Sequence, residues 1–202
     1  MKLNWAERLI VNNPLRAMMQ RIEIGLIKGM APLNEGAKVL EVGCGRGAGA
    51  KLIRKEFKPS CLYAMDLDVR MVRKAKAYLS SHEEEGISLL VGDVFRLPLP
   101  DRTLDAVFGF GVLHHVPDWR RAAAEIARVL KTGGLYLMEE LYPTAYQNFI
   151  TKRILFHPEE DRFFSHDLRE ALEMVKLPIK DAIDFKKIGI VAVAVKGVGS
   201  KE

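Results

Sequence analysis

Cysteine is scarce in this 202-residue chain, and long apolar runs and polar low-complexity tracts are missing altogether. Its two cysteines, Cys44 and Cys61, have neither metal-ligand spacing nor the numbers for a disulfide framework, which excludes a cysteine-stapled scaffold and a zinc ribbon. No metal is expected. The longest apolar stretches, such as Ile188 to Val195, fall far short of the ~20 residues a membrane-spanning helix needs. The opening residues, Met1-Lys2-Leu3-Asn4-Trp5-Ala6-Glu7-Arg8, lack the apolar run and small-residue cleavage site of a signal peptide, so a cytoplasmic location is expected. Charge of one sign is also lacking: 31 Lys and Arg against 26 Asp and Glu give +5, an excess that permits an anionic partner without demanding one. Hydrophobic residues reach 49% and the length suits one globular domain with its own core.

What is present, from Lys38 onward, is alternation. Short apolar runs at Lys38 to Val42, Cys61 to Met65, Ile87 to Val91, Leu104 to Phe108 and Leu135 to Glu139 read as strands, with helical patterns among them. One helix carries Ala50, Leu52, Ile53 and Phe57, and the next, Val69 to Ser80, carries Val72, Ala75 and Leu79. The clearest begins at Pro117-Asp118, repeats Trp119, Ala122, Ala123, Ile126, Val129 and Leu130 at three and four residues, and is expected to stop at Gly133-Gly134. Two last runs, Ile179 to Phe185 and Ile188 to Val195, have only Lys186-Lys187 between them, too few for a crossover, so they must pair as an antiparallel hairpin.

Two segments stand outside this scheme. Asn13-Pro14 can open a helix whose stripe is Leu15, Met18, Met19, Ile22, Leu26 and Ile27, with Arg16, Arg21 and Lys28 beside it. Tyr142 to Pro178 gathers Tyr142, Tyr146, Phe149, Phe156, Phe163 and Phe164, and holds a capped helix from Ser165 with Leu168, Ala171, Leu172 and Val175 inward. The expected organisation is a single domain over residues 1–202. It comprises a helical cap (1–36), a ligand-binding core (37–140), an aromatic segment facing the substrate (141–178) and the terminal hairpin (179–202).

Chemistry concentrates where the first strand ends. Gly43, Gly45 and Gly47 form a turn that leaves a strand and opens a helix, a place where missing Cβ atoms let a ligand approach the backbone. Such a loop also suits a dinucleotide, since Gly45-Arg46-Gly47-Ala48-Gly49-Ala50 fits the looser nicotinamide fingerprint. Its acidic company narrows the choice. Glu41 lies two residues before the glycines, Asp66 ends the second strand and Asp93 follows the third, so three acids reach the carboxyl edge of the sheet. That layout suits a ribose diol, an adenine amino group and a cationic end better than a pyrophosphate.

In the order Val39-Leu40-Glu41-Val42-Gly43-Cys44-Gly45-Arg46-Gly47, Met65-Asp66-Leu67-Asp68, Gly92-Asp93-Val94, Leu97-Pro98-Leu99-Pro100-Asp101, Leu104-Asp105-Ala106-Val107, Val112-Leu113-His114-His115-Val116-Pro117-Asp118 and Leu130-Lys131-Thr132-Gly133-Gly134, the chain resembles the class I S-adenosylmethionine-dependent methyltransferases over about Ala37 to Glu140. The resemblance implies an α/β, Rossmann-like, doubly wound fold: a seven-stranded, mostly parallel sheet ending in an antiparallel hairpin. It implies S-adenosylmethionine as cofactor, with Asp66 on both ribose hydroxyls, Leu67 on the adenine face, and Asp93 and the Val94 amide on the adenine edge. The loop of Gly43, Cys44, Gly45 and Gly47, with the backbone near Phe110, would hold the methionine end, and Glu41 would order that loop or reach the sulfonium side. His114 and His115, following the fourth strand, are the candidates for a general base if the acceptor needs one.

The acceptor is less constrained. Base-amino methylation implies an Asn/Asp-Pro-Pro-aromatic turn where this chain has Gly109-Phe110-Gly111-Val112-Leu113, and cytosine-carbon methylation implies a Pro-Cys loop that neither cysteine occupies. No nucleic-acid partner is therefore expected, and a small-molecule acceptor is favoured. A basic amphipathic first helix leaves peripheral membrane contact, and with it a lipid or quinone acceptor, as the alternative. A nicotinamide oxidoreductase and a non-catalytic binding module are the readings from other classes. The oligomeric state is not encoded in any feature of the sequence.

Overall fold

The computed structural model describes residues 14–80, 86–146 and 160–197. In chain order they form α1 (Pro14–Met30), β1 (Lys38–Val42), α2 (Ala48–Phe57), β2 (Cys61–Asp66), α3 (Val69–Ser80), β3 (Ile87–Val91), β4 (Leu104–Phe110), a 3₁₀ turn (Leu113–His115), α4 (Trp119–Val129), β5 (Leu130–Leu141), the single turn α5 (Pro143–Tyr146), α6 (Ser165–Met174), β6 (Ile179–Asp184) and β7 (Gly189–Val195). The strands form one sheet in the order β3-β2-β1-β4-β5-β7-β6. All pairings up to β5 are parallel, while β7 runs antiparallel between β5 and β6. The Rossmann-like α/β fold with its closing hairpin is therefore observed.

Alternation along each strand divides the side chains between two cores. Val39, Ala106, Phe108 and Leu137 pack with Ile24 and Ile27 of α1 and with Ile53 and Phe57 of α2. Leu40, Val42, Val107, Tyr136 and Met138 pack on the other face with Trp119 and Ile126 of α4 and with Leu168 and Leu172 of α6. The same period sorts the polar residues. Glu41 and Glu139 share the face of Val39 and Leu137, toward α1 and α2, whereas Glu140 shares the face of Met138.

Several expectations need correction. The expected stripe of α1 holds at Ile27, which is buried, and at Leu26, half-buried, but not at Met18, Met19 and Ile22, which are 53%, 46% and 60% exposed; Glu23 and Ile24 are buried instead. The cause is electrostatic. Arg16 turns inward to pair with Glu23, so charge does not mark the outer face of this helix. Helix α4 ends at Val129 rather than at the glycine pair, because Leu130 already pairs with Leu104; Gly133, at φ 79°, lies within β5 where the register shifts. On α3, Ala75 and Leu79 are buried as expected, but Met71 is buried with them and Val72 only half-buried. Helix α6 begins at Ser165 as expected, yet its first turn is held by Asp167, whose Oδ2 accepts the Phe164 N–H at 2.9 Å. Asn13, Phe149 and Phe156 lie outside the described residues, as does the Leu15 side chain.

Candidate active site

Strand order reverses between β1 and β4: the chain goes from β1 to β2 on one side and returns to β4 on the other. Open α/β sheets bind ligands in the crevice this leaves at the carboxyl ends of the strands. A cleft of about 150 Å³, open to solvent, lies there, walled by Gly43, Gly45, Asp66, Leu67, Asp93, Val94, Phe110 and His115. A second cavity of about 260 Å³ adjoins it. It shares Gly43, Gly45, Phe110, Gly111 and His115 with the first and adds Arg16, Met19, Glu23, Cys44, His114, Glu139 and Tyr146.

The floor of the first cleft is the turn after β1. Gly43 adopts φ 68°, and a Cβ on it would meet Val112 Cγ2 at 2.8 Å, so only glycine keeps this wall in place. The turn spends three of its N–H groups internally. Cys44 N–H bonds the Met65 carbonyl (2.9 Å), Gly47 N–H bonds the Cys44 carbonyl (2.8 Å), and Gly45 N–H bonds Asp66 Oδ2 (3.0 Å). The Ala50 N–H, in the first turn of α2, bonds Glu41. Asp66 Oδ1 also accepts from the Asp68 N–H at 2.8 Å. Each Asp66 oxygen thus has one backbone donor and a further lone pair for the cleft, the pairing a vicinal diol requires. Burial raises the Asp66 carboxyl above its ordinary value, opposed by these two backbone donors. Asp93 bonds the Phe95 N–H at 2.9 Å, fixing the turn that carries Val94.

Two expected site residues line neither cavity. Glu41 points beneath the turn, 1% exposed, and burial together with the nearby Asp66 carboxylate raises its carboxyl to about 8. Its Oε2 has no hydrogen-bond partner among the described residues. Gly47 precedes α2 at φ 88°, and a Cβ there would press on Ala75 and Leu79 of α3 at 3.2 Å, so it serves packing. Cys44 does line the second cavity, where burial pushes its thiol well above the ordinary value, away from the reactive thiolate.

The second cavity brings the expected base candidate His114 together with Glu139, a residue the sequence patterns left unassigned, and Glu140 stands behind His114. His114 is 3% exposed, with Nδ1 2.8 Å from Glu140 Oε2. Glu140, fully buried, also accepts the backbone N–H groups of Val112 (3.1 Å), Leu113 (2.8 Å) and His114 (3.2 Å). The Leu141 N–H lies 3.5 Å from the same Nδ1, a longer contact that would need Nδ1 unprotonated. The shorter, charge-assisted bond decides the tautomer: Nδ1–H donates to Glu140 and Nε2 keeps its lone pair. On the opposite face of β5, Glu139 Oε2 accepts from Arg16 at 3.1 Å. Burial, with Glu23 nearby, raises the Glu139 carboxyl to about 8 against the pull of Arg16. These residues were findable in principle, because successive acids at the end of a strand must face opposite layers.

The residues present fit an adenosyl cofactor bearing a sulfonium. The diol acceptor, the missing Cβ at Gly43 and the exposed Leu67 lie along one cleft, and the N–H groups of Cys44, Gly45 and Gly47 are engaged within the protein.

A model of the methyltransferase domain matches residues 40–138. Among characterised relatives, a fatty-acid O-methyltransferase of Mycolicibacterium smegmatis is 35% identical over 109 residues, 54% of this chain and 39% of that enzyme. The sterol 24-C-methyltransferase erg6 of Aspergillus fumigatus is 36% identical over 121 residues, 57% of this chain and 31% of that enzyme. The chain therefore spans well under half the length of these relatives. Among solved structures, an S-adenosylmethionine-dependent methyltransferase from Aquifex aeolicus superimposes with a TM-score of 0.78 at 19% identity, over 96% of this chain and all of that one.

Proposed function

Because the chain belongs to the class I S-adenosylmethionine-dependent methyltransferase family, we propose that it binds this cofactor in the first cleft and transfers the methyl group to an apolar small molecule in the second cavity. One observation carries the reading: the two cavities share the wall of Gly43, Gly45, Phe110, Gly111 and His115, so a donor in one reaches an acceptor in the other. Asp66 would hold the ribose hydroxyls, Leu67 the adenine face, and Asp93 with the Val94 amide the adenine edge. Gly43 and Gly45 leave room for the methionine end. The bound cofactor supplies an already activated methyl group, so the protein positions the partners, excludes water and accepts a proton. His114 is better placed than its neighbour for the last task, because Glu140 fixes its tautomer.

An apolar acceptor is supported by Met19, Phe110, Leu141 and Tyr146 around the second cavity, and by the fatty-acid and sterol methyltransferases among the relatives. The test is transfer of isotope-labelled methyl from S-adenosylmethionine into an organic-extractable product, using fatty-acid, sterol and total-lipid extracts. Label confined to the aqueous phase in all three would refute an apolar acceptor.

A second proposal follows from α1. Met18 and Ile22 are exposed near Arg21, a face suited to an anionic membrane surface, although Arg16 and Lys28 are spent on Glu23 and Glu56. Co-sedimentation with anionic vesicles should fall in an M18D/I22D variant; equal partitioning would remove the idea. No helix among the described residues is long and apolar enough to cross a membrane.

A further inference from the structure

The wall of the second cavity contains a buried charge group that neither cofactor binding nor the His114–Glu140 pair uses. Arg16 of α1 contacts both oxygens of Glu23, at 2.7 and 2.8 Å, and reaches across to Glu139 of β5 at 3.1 Å. One guanidinium thus answers two carboxylates in a setting that an apolar trio would fill at no loss of stability. Beside them, Gly111 adopts φ 69° and has no side chain. A Cβ there would press on His114 Cε1 at 3.1 Å and lie 3.6 Å from Glu139 Oε2 and 3.8 Å from His114 Nε2. The space above Gly111 is therefore bounded by a carboxylate on one side and an imidazole on the other, at the wall common to both cavities.

We propose that the second cavity selects an apolar molecule whose reacting group is an amine or a hydroxyl, seated above Gly111, and rejects one whose reacting group is a carboxylate. This rests on the methyltransferase reading above. An N–H or O–H donates to Glu139 Oε2, which has a single long contact from Arg16. Above about pH 8, where Glu139 has given up its proton, a carboxylate in the same place would bring a third negative charge to one guanidinium, where low dielectric makes like charges repel strongly. In the transfer, the acceptor nitrogen or oxygen forms a bond to the methyl carbon. The sulfur–methyl bond breaks with its electron pair left on sulfur, converting the sulfonium to a thioether. The acceptor's proton passes to His114 Nε2, and the resulting imidazolium is balanced by Glu140. The wall thus sets this chain apart from its relative named for a fatty-acid acceptor.

Three probes of equal chain length decide the matter: decylamine, decanol and decanoate, each titrated calorimetrically at about pH 9, where Glu139 is ionised, into protein saturated with S-adenosylhomocysteine. We expect the amine and the alcohol to bind about tenfold or more tightly than the carboxylate, and Glu139→Gln to bring the amine and carboxylate within about threefold. Glu23→Gln, read the same way, replaces that variant if circular dichroism shows it unfolded. Ala145→Phe, which fills the cavity from the half-buried turn α5, should weaken all three. Tighter or equal binding of decanoate overturns the proposal, as does a ranking unchanged by the Gln variant, or probes indifferent to Ala145→Phe. The preceding titration of S-adenosylhomocysteine is a separate readout. If it fails, the methyltransferase reading falls, while the ranking on unloaded protein still decides the acceptor class.

Discussion

Replacing Glu41 with glutamine should flatten the pH dependence of stability between about pH 5 and about pH 8. Glu41 is fully buried beneath the glycine turn, and its carboxyl is raised from 4.5 to about 8, first by burial and then by the Asp66 carboxylate. Between these two values the folded state binds the proton and the unfolded chain does not. The contribution is therefore fully present below about pH 4.5 and is lost as pH rises through about 8. Integrating one such group from about pH 6 to about pH 9 gives a loss of about 2.5 kcal/mol, or a fall in Tm of roughly 5–10 °C for a chain of this size. Glutamine keeps an oxygen for the Ala50 N–H and has no charge to lose. The comparison is made by thermal and urea denaturation followed by circular dichroism across this range, without cofactor. Glu139, raised to about 8 by burial, titrates in both proteins, so the difference between the curves isolates Glu41. Parallel curves would refute the reasoning, since they would mean that Glu41 ionises no harder in the fold than in the unfolded chain.

The other predictions are simpler. Gly43→Ala places a Cβ 2.8 Å from Val112 Cγ2 at φ 68°; it should cost about 1–3 kcal/mol in urea denaturation and weaken cofactor binding in the same preparation. Trp119→Ala empties a fully buried site in the α4 core and removes the donor to the Asp161 carbonyl, so a destabilisation of about 3–5 kcal/mol is expected. Because Trp119 lines neither cavity, cofactor affinity of the folded fraction should be unchanged. Glu140→Gln leaves the His114 Nδ1–H an uncharged acceptor. Nitrogen NMR of the imidazole should then show the tautomer mixture shift, whereas an unchanged spectrum would deny Glu140 its positioning role.

The sequence reveals what depends on short-range pattern. Strands of period two, the helix beginning at Asp118 and the positive-φ turn after β1 are written in consecutive residues, and Asp66, Leu67, Asp93, Val94 and Phe110 all line the first cleft as a result. Features set by distant partners are hidden. The inward face of the first half of α1 depends on Arg16 meeting Glu23 and Glu139, the last of these 123 residues away, so an apolar stripe places Ile27 correctly but Met18, Met19 and Ile22 wrongly. Gly47 resembles a ligand-loop glycine until α3 is seen against it. The pair Gly133-Gly134 suggests a helix stop because nothing local shows that Leu130 has already joined Leu104. Glu139 and Glu140 look like one acidic run, and only their alternation across the sheet sends one to Arg16 and the other to His114.

The central claim, an adenosyl cofactor seated on Asp66, is tested most directly by calorimetric titration of S-adenosylhomocysteine into the wild type and Asp66→Ala, with NAD as the competing ligand. The wild type should bind at one site with a Kd on the order of micromolar and show no heat with NAD. Asp66→Ala, with native circular dichroism, should bind about a hundredfold or more weakly, as expected for the loss of charge-assisted hydrogen bonds to both hydroxyls. Undiminished binding by the variant, or tighter binding of NAD by the wild type, would contradict the account.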